Sequence, residues 1–143
     1  VNPSNFSRLR RDDFLVSAVG PLSNLLLALC CTLAFILVSA LAPDSPGKMT
    51  LEGMRFLLKM LYGGISLNII LAVFNLLPVP PLDGSHIVAS LLPPAVAARY
   101  QRIGFLGIFI IILLMRWDPF AAAFWQVIRV LTSPLAALAQ RYG

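Results

Sequence analysis

One short stretch, residues 75–86, interrupts a long apolar run and carries polar side chains. The amide Asn75 precedes three prolines, and the carboxylate Asp83 follows them. A positioned amide can hold developing negative charge, and a carboxylate within an apolar segment can bind a proton, a cation or a metal. Non-helical backbone at membrane depth is tolerated only where protein or a water-filled cavity shields it. The stretch is therefore the first place to look for function.

Asp83 allows three interpretations from its residue type alone. As a structural group it could be the N-cap of a helix that follows, because a carboxylate accepts hydrogen bonds from unpaired amides there. As a transport group it could bind a proton or a cation within the membrane. As a metal ligand it offers a hard oxygen, which suits zinc together with histidine nitrogens. These alternatives remain open at this point.

The spacing around Asp83 closely resembles the second signature of the site-2 protease family, the intramembrane zinc metalloproteases. In this chain the signature reads Asn75-x-x-Pro78-x-x-x-Leu82-Asp83-Gly84. The resemblance implies that Asp83 is the third ligand of a catalytic Zn²⁺ and that Asn75 contacts the oxyanion of the tetrahedral intermediate. It also implies, more weakly, that Pro78, Pro80 and Pro81 lie beside the substrate.

Two upstream blocks extend the resemblance. Residues 1–6 look like the loop before the family's next core helix, and 18–24 are similar to its glycine-x-x-x-asparagine pattern, here Gly20 and Asn24. We interpret 1–143 as a single membrane domain in which 1–92 carries the resemblance. Residues 93–143 are generic hydrophobic helices.

The family's first signature, His-Glu-x-x-His, does not occur in these 143 residues. In the family it supplies two zinc ligands and the general base. The single histidine, His86, is interpreted as an exposed polar side chain, and the single glutamate, Glu52, lies near the opposite end of the second span. With one ligand of three, the chain alone is not expected to hydrolyse peptides.

Two hypotheses for the function follow from the missing signature. Because the chain starts at Val1, we interpret it as the C-terminal part of an endopeptidase that cuts in or near transmembrane segments. Its catalytic helix would then precede residue 1. The alternative is a non-catalytic membrane module, either an inactive homologue or a transporter-like fragment that uses Asp83 for an ion.

The composition predicts an all-α integral membrane protein. Hydrophobic residues make up 59% and charged residues 12%, with a mean hydropathy of +0.86, against roughly 45–50% and 25% in soluble domains. The net charge of +5 comes from basic residues scattered at the ends of apolar runs. That placement suits lipid headgroups and argues against nucleic acid as a partner.

The pattern predicts two full spans, the proline-broken loop and then shorter membrane-associated helices. The predicted segments are a leading loop 1–13, spans 14–42 and 56–77, and helices 85–92, 103–115 and 120–131. Asn24 and Asn68 are predicted to form interhelical hydrogen bonds. The distribution of basic residues predicts that Asp83 lies near the cytoplasmic side of a cell membrane of bacterial type.

Overall fold

Six helices form the fold of the chain, for which we use a computed structural model. It describes the backbone of residues 3–41 and 47–142, and the side chains of 13–41, 47 and 50–134. Within these ranges there is no β-strand, so the all-α prediction is confirmed. The helices are α1 Pro3–Ala40, α2 Lys48–Asn75, α3 Asp83–Leu91, α4 Pro94–Gln101, α5 Leu106–Arg116 and α6 Asp118–Tyr142.

Two segments, Asp13–Ala40 of α1 and Thr50–Asn75 of α2, are long and apolar enough to cross a membrane. They agree with the two predicted spans to within a few residues, apart from the earlier start of α2. The pair α4 and α5 is bent by 77° and would count as a third, broken span if taken together. The prediction that the apolar segment after residue 103 is too short to cross by itself therefore agrees with an α5 of 11 residues.

The predicted loop over residues 1–13 is wrong for the part that the structure describes, because α1 begins at Pro3. Proline fits the first turn of a helix, where its missing N–H has no intrahelical partner. No glycine or further proline follows until Gly20. The prediction took polarity as a loop signal, whereas a helix continues past an apolar segment wherever its residues favour helix. Val1 and Asn2 lie outside the described residues.

The last helix is also longer than predicted, since α6 runs from Asp118 to Tyr142 and contains Pro134. Its buried side chains Phe124, Ile128 and Thr132 are spaced by four residues and therefore share one face. This face packs against α2. The helix thus contributes to the core of the bundle.

The core lies where α1, α2 and α6 meet. Phe35 of α1 and Ile65 of α2 are almost fully buried. The other buried members are Ala28, Leu58, Ile69, Phe124 and Ile128. This packing fixes the α1–α2 pair, from which the site described below is built.

One close contact between α1 and α2 indicates how the two helices are aligned along their length. A Cβ added to Gly64 of α2 would lie 3.2 Å from the Sγ of Cys31 in α1. In an antiparallel pair, moving one residue down α1 corresponds to moving one residue up α2, since both rise by about 1.5 Å per residue. Gly20 and Asn75 are each 11 positions from this contact, which places them at the same level to within about one turn.

The predicted interhelical hydrogen bond of Asn68 is wrong. Its Nδ2 donates to the Gly64 carbonyl oxygen of its own helix at 2.8 Å. An amide side chain four residues after a carbonyl can reach it without any partner helix. Asn24 has no hydrogen-bond partner within the described residues.

Candidate functional site

The segment between α2 and α3, residues 76–82, folds as a chain of tight turns. The Val79 amide donates to the Leu77 oxygen at 2.8 Å, and the Leu82 amide donates to the Val79 oxygen at 3.0 Å. The Ser85 amide then donates to Leu82 at 2.9 Å. Prolines cannot donate such bonds, so the remaining carbonyls of this proline loop need donors from elsewhere.

The end of α4 supplies side-chain donors to this region. The hydroxyl of Tyr100 donates to the Pro78 carbonyl oxygen at 2.7 Å. The neighbouring Gln101 donates from Nε2 to the Ser85 carbonyl oxygen at 3.3 Å. Because an unpaired carbonyl is costly away from water, Tyr100 stabilises the non-helical backbone at Pro78, and Gln101 ties the first turn of α3 to α4.

Helix α5 covers the loop from another side. A Cβ added to Gly107 would collide with the Pro80 carbonyl and would lie 3.1 Å from Cγ1 of Val79. Val79 and Pro80 are both buried, whereas Pro78 and Pro81 are exposed. Protein therefore shields the centre of the loop, as non-helical backbone that follows a membrane-length helix requires.

Gly84 lets the loop fold back on the end of α2. A Cβ at this position would collide with the Leu76 carbonyl group and would lie 2.6 Å from the Leu77 oxygen. Those atoms are backbone and cannot rotate aside. A residue without a side chain is required here, and it brings the start of α3 against the end of α2.

Asp83 is the first residue of α3, and Leu82 occupies the N-cap position. No side chain caps this helix, so the N-cap interpretation of Asp83 is wrong. A negative charge in the first turn is still favoured by the helix dipole. The carboxylate is half-buried, and no described residue forms a hydrogen bond or an ion pair with it.

Gly20 of α1 lies directly against this carboxylate. A Cβ added to Gly20 would collide with Oδ2 of Asp83 and would lie 3.3 Å from its Cγ. Gly20 is about 10 Å along the helix from Asp13, where the apolar segment begins. The carboxylate therefore sits beside the apolar part of α1.

Asn75 is the last residue of α2 and is half-buried. The register of the α1–α2 pair places it at the level of Gly20, and Gly20 contacts Asp83. The fold thus brings the amide and the carboxylate to the same depth. The agreement in level is to within about one helical turn.

His86 lies on an open cleft of about 220 Å³ whose lining includes neither Asn75 nor Asp83. The cleft is lined by Asp13, His86, Ala89, Ser90, Pro94, Ala97, Ala98 and Gln101. His86 is exposed, as predicted. No three His, Cys, Asp or Glu side chains in the described part of the chain come together as a metal-binding group.

Reasoning from the sequence missed Tyr100, Gln101 and Gly107, which hold the loop. They lie outside residues 1–92, which carry the family resemblance. The sequence does place a tyrosine and a glutamine side by side just before an apolar run, and the structure shows that they end the short helix α4. Nothing in that spacing identifies the carbonyls to which they donate.

Two comparisons with known proteins bear on the family of the chain. The sequence profile described as Peptidase family M50 matches residues 44–115, about half of the chain. The matched segment contains both Asn75 and Asp83 and extends through α4 into α5.

A protein of Bacillus subtilis (strain 168) named "Putative zinc metalloprotease YwhC" is 36% identical over 119 residues. The similar region covers 83% of this chain and 52% of that protein, so the chain spans about half the length of the curated relative it matches. No solved structure shows a significant match. On the strength of the profile match, the chain belongs to Peptidase family M50, the site-2 protease family.

Proposed function

We propose that this chain is the C-terminal portion of an intramembrane zinc metalloendopeptidase and contributes Asp83 as one zinc ligand and Asn75 as an oxyanion donor. The observation that carries the proposal is the carboxylate against Gly20, half-buried, without a partner in the described residues and level with Asn75. Membership of a peptidase family supports the same assignment. The substrates would be peptide bonds in or near transmembrane segments of other proteins.

Asp83 fits zinc as one ligand, but the described residues do not complete a zinc site. A catalytic zinc takes three protein ligands and leaves a fourth position for water. We propose that the other two ligands and the general base come from a His-Glu-x-x-His helix outside these 143 residues. The relative's extra length leaves room for such a segment. Bound zinc would lower the pKa of its water and so supply the nucleophile.

The chain's own residues would have three tasks. The Asp83 carboxylate would hold its oxygens toward the metal, with its direction limited by Gly20. The Asn75 Nδ2 would donate a hydrogen bond to the oxygen that becomes negative during attack, where a fixed dipole is most effective in a dry site. The apolar faces of α1 and α2 would keep bulk water out. By itself the chain would not cleave peptides.

The proline loop offers the substrate an exposed edge at Pro78 and Pro81. Substrate contact remains our proposal for these two residues, whereas Pro80 is buried against Gly107 and does not reach a surface. Membrane lipid would cover the exposed apolar side chains of α1 and α5. We place Asp83 near the cytoplasmic side of a bacterial-type cell membrane and propose no nucleic-acid partner.

Cleavage of a transmembrane substrate by the full-length protein tests the proposal. Asp83→Asn should abolish cleavage, because an amide is a poor replacement for a charged ligand. Asn75→Ala should lower turnover by about 10²-fold or more, which is the usual cost of one lost oxyanion donor. Asn68→Ala is the matched control, since Asn68 bonds within its own helix, and its turnover should stay close to that of the wild type.

Undiminished proteolysis by the Asp83→Asn protein would remove Asp83 from the mechanism. If the wild-type full-length protein cleaves no transmembrane substrate and lacks a His-Glu-x-x-His helix, the chain is a non-catalytic module instead.

A further inference from the structure

We propose that Gly20 is the positioning residue for Asp83: its missing side chain sets the direction in which the carboxylate presents its oxygens. This inference rests on the proposed function for what the carboxylate binds. The contact itself is independent of that function. It assigns to α1 a role in the site that its apolar sequence does not suggest.

The contact of Gly20 is unlike that of any other glycine in the described residues. A Cβ added to Gly84 or Gly107 would meet backbone carbonyls, and one added to Gly64 would meet a cysteine sulfur. Only at Gly20 would it meet a charged side chain, and there it would meet all three atoms of the carboxylate within 4.0 Å. The space that Gly20 leaves free is therefore occupied by the functional group itself.

Helix α3 is held from other directions and cannot simply move away from α1. Gly84 lies against the end of α2, and Ser85 is fully buried. The Ser85 carbonyl accepts the hydrogen bond from Gln101. Because its backbone is fixed in this way, Asp83 can accommodate a Cβ at position 20 only by rotating its side chain.

This geometry allows the effect of Gly20→Ala on ligand affinity to be separated from its effect on the stability of the fold. A carboxylate rotates at low energetic cost, so Gly20→Ala should leave the fold nearly as stable as before. The same rotation turns the oxygens away from the position they now occupy. A ligand that needs them there would lose affinity, whereas a simple packing role for Gly20 would show itself as lost stability.

Disulfide trapping in the full-length protein tests the contact without any metal. In a background in which Cys30 and Cys31 are replaced by alanine, the pair Gly20→Cys and Asp83→Cys should form a disulfide on mild oxidation. The Cβ of Asp83 is one bond beyond Cγ, which brings the two cysteines into bonding range. The pair Gly63→Cys and Asp83→Cys is the control and should stay reduced. Equal trapping of both pairs, or of neither, would overturn the contact.

Zinc affinity and Tm of full-length Gly20→Ala then test the positioning role. We expect the zinc Kd to rise by about 10- to 100-fold, the usual effect of disturbing a group that orients a ligand, while Tm changes by less than about 2 °C. Gly63→Ala, whose new Cβ meets no atom of the described residues within 4 Å, should leave Kd unchanged and Tm equal or slightly higher. An unchanged Kd in Gly20→Ala would overturn the role, as would a fall in Tm of more than about 5 °C.

An Asp83→Asn protein in the same titration separates the two proposals. If its Kd equals that of the wild type, the zinc function of Asp83 fails, and positioning for zinc fails with it. If its Kd rises while that of Gly20→Ala does not, only the positioning role is wrong.

Discussion

The two ends of the α1–α2 pair differ in how closely other atoms approach the backbone. At the loop end, Gly20, Gly84 and Gly107 would each collide with a neighbour if they carried a Cβ. Gly47 and Gly53 toward the other end, and Gly63 near the middle of α2, would meet no atom of the described residues within 4 Å. Tight sterics are therefore concentrated around Asp83 and the proline loop.

The difference shows that this small bundle needs close packing around the loop more than along its regular helices. Regular helices satisfy their own backbone groups, so loose packing between them costs little in lipid. The loop does not satisfy all of its own backbone groups, so α4 donates a hydrogen bond to it and α5 covers it. The same close fit that shields the loop also limits where the Asp83 carboxylate can lie. We conclude that shielding the backbone and positioning the site are one structural task.

The largest effect should come from a change that breaks the close fit. Gly84→Ala forces a Cβ into the Leu76 and Leu77 backbone, and because backbone atoms cannot rotate aside, we expect a loss of about 3 kcal/mol in the free energy of unfolding. Denaturant titration of the full-length protein in detergent micelles measures it. A loss below about 0.5 kcal/mol, within the range of ordinary surface substitutions, would mean that the loop does not fold back on α2.

A smaller effect should follow from removing one donor to the loop. Tyr100→Phe deletes the hydroxyl that donates to Pro78 and should cost about 1 kcal/mol. Hydrogen exchange should also become faster at the Val79 and Leu82 amides, which are bonded within the loop. Tyr62→Phe is the matched control, since the Tyr62 hydroxyl has no partner within the described residues. Equal effects of the two substitutions would show that the bond to Pro78 is not important.

The smallest effect should have the opposite sign. Gly63→Ala adds a methyl group where nothing is displaced, and alanine favours a helix over glycine by up to about 1 kcal/mol. Thermal unfolding should therefore show equal or slightly higher stability. A clear destabilisation would mean that the middle of α2 is packed as closely as the loop end, and the comparison would fail.

The residues of the candidate site could be predicted from the sequence, but their surroundings could not. Asn75 and Asp83 stand at a fixed spacing within one local stretch, so a motif finds them. Tyr100 and Gln101 act on carbonyls 22 and 16 residues away, and no local period encodes such a contact. The glycine-x-x-x-asparagine pattern identifies Gly20, but it does not reveal that a carboxylate is the group that approaches it.

The errors in the fold have a similar physical origin. Polar residues before Asp13 were taken as a loop, although they continue α1 beyond its apolar part. Asn68 was expected to bond across helices, but its own helix offers a carbonyl four residues earlier. In both cases a local helical solution was available, and the prediction had assumed that a polar residue needs a partner or an environment elsewhere.

Zinc binding by the full-length protein tests the central claim, that Asp83 is a metal ligand, most directly. The wild type should hold about one zinc per protein, as expected for a single catalytic site. His86→Asn should keep it, because His86 lies on an exposed cleft three residues further along α3. Asp83→Asn should bind zinc far more weakly in competition with a chelator. Equal affinity in wild type and Asp83→Asn would contradict the account.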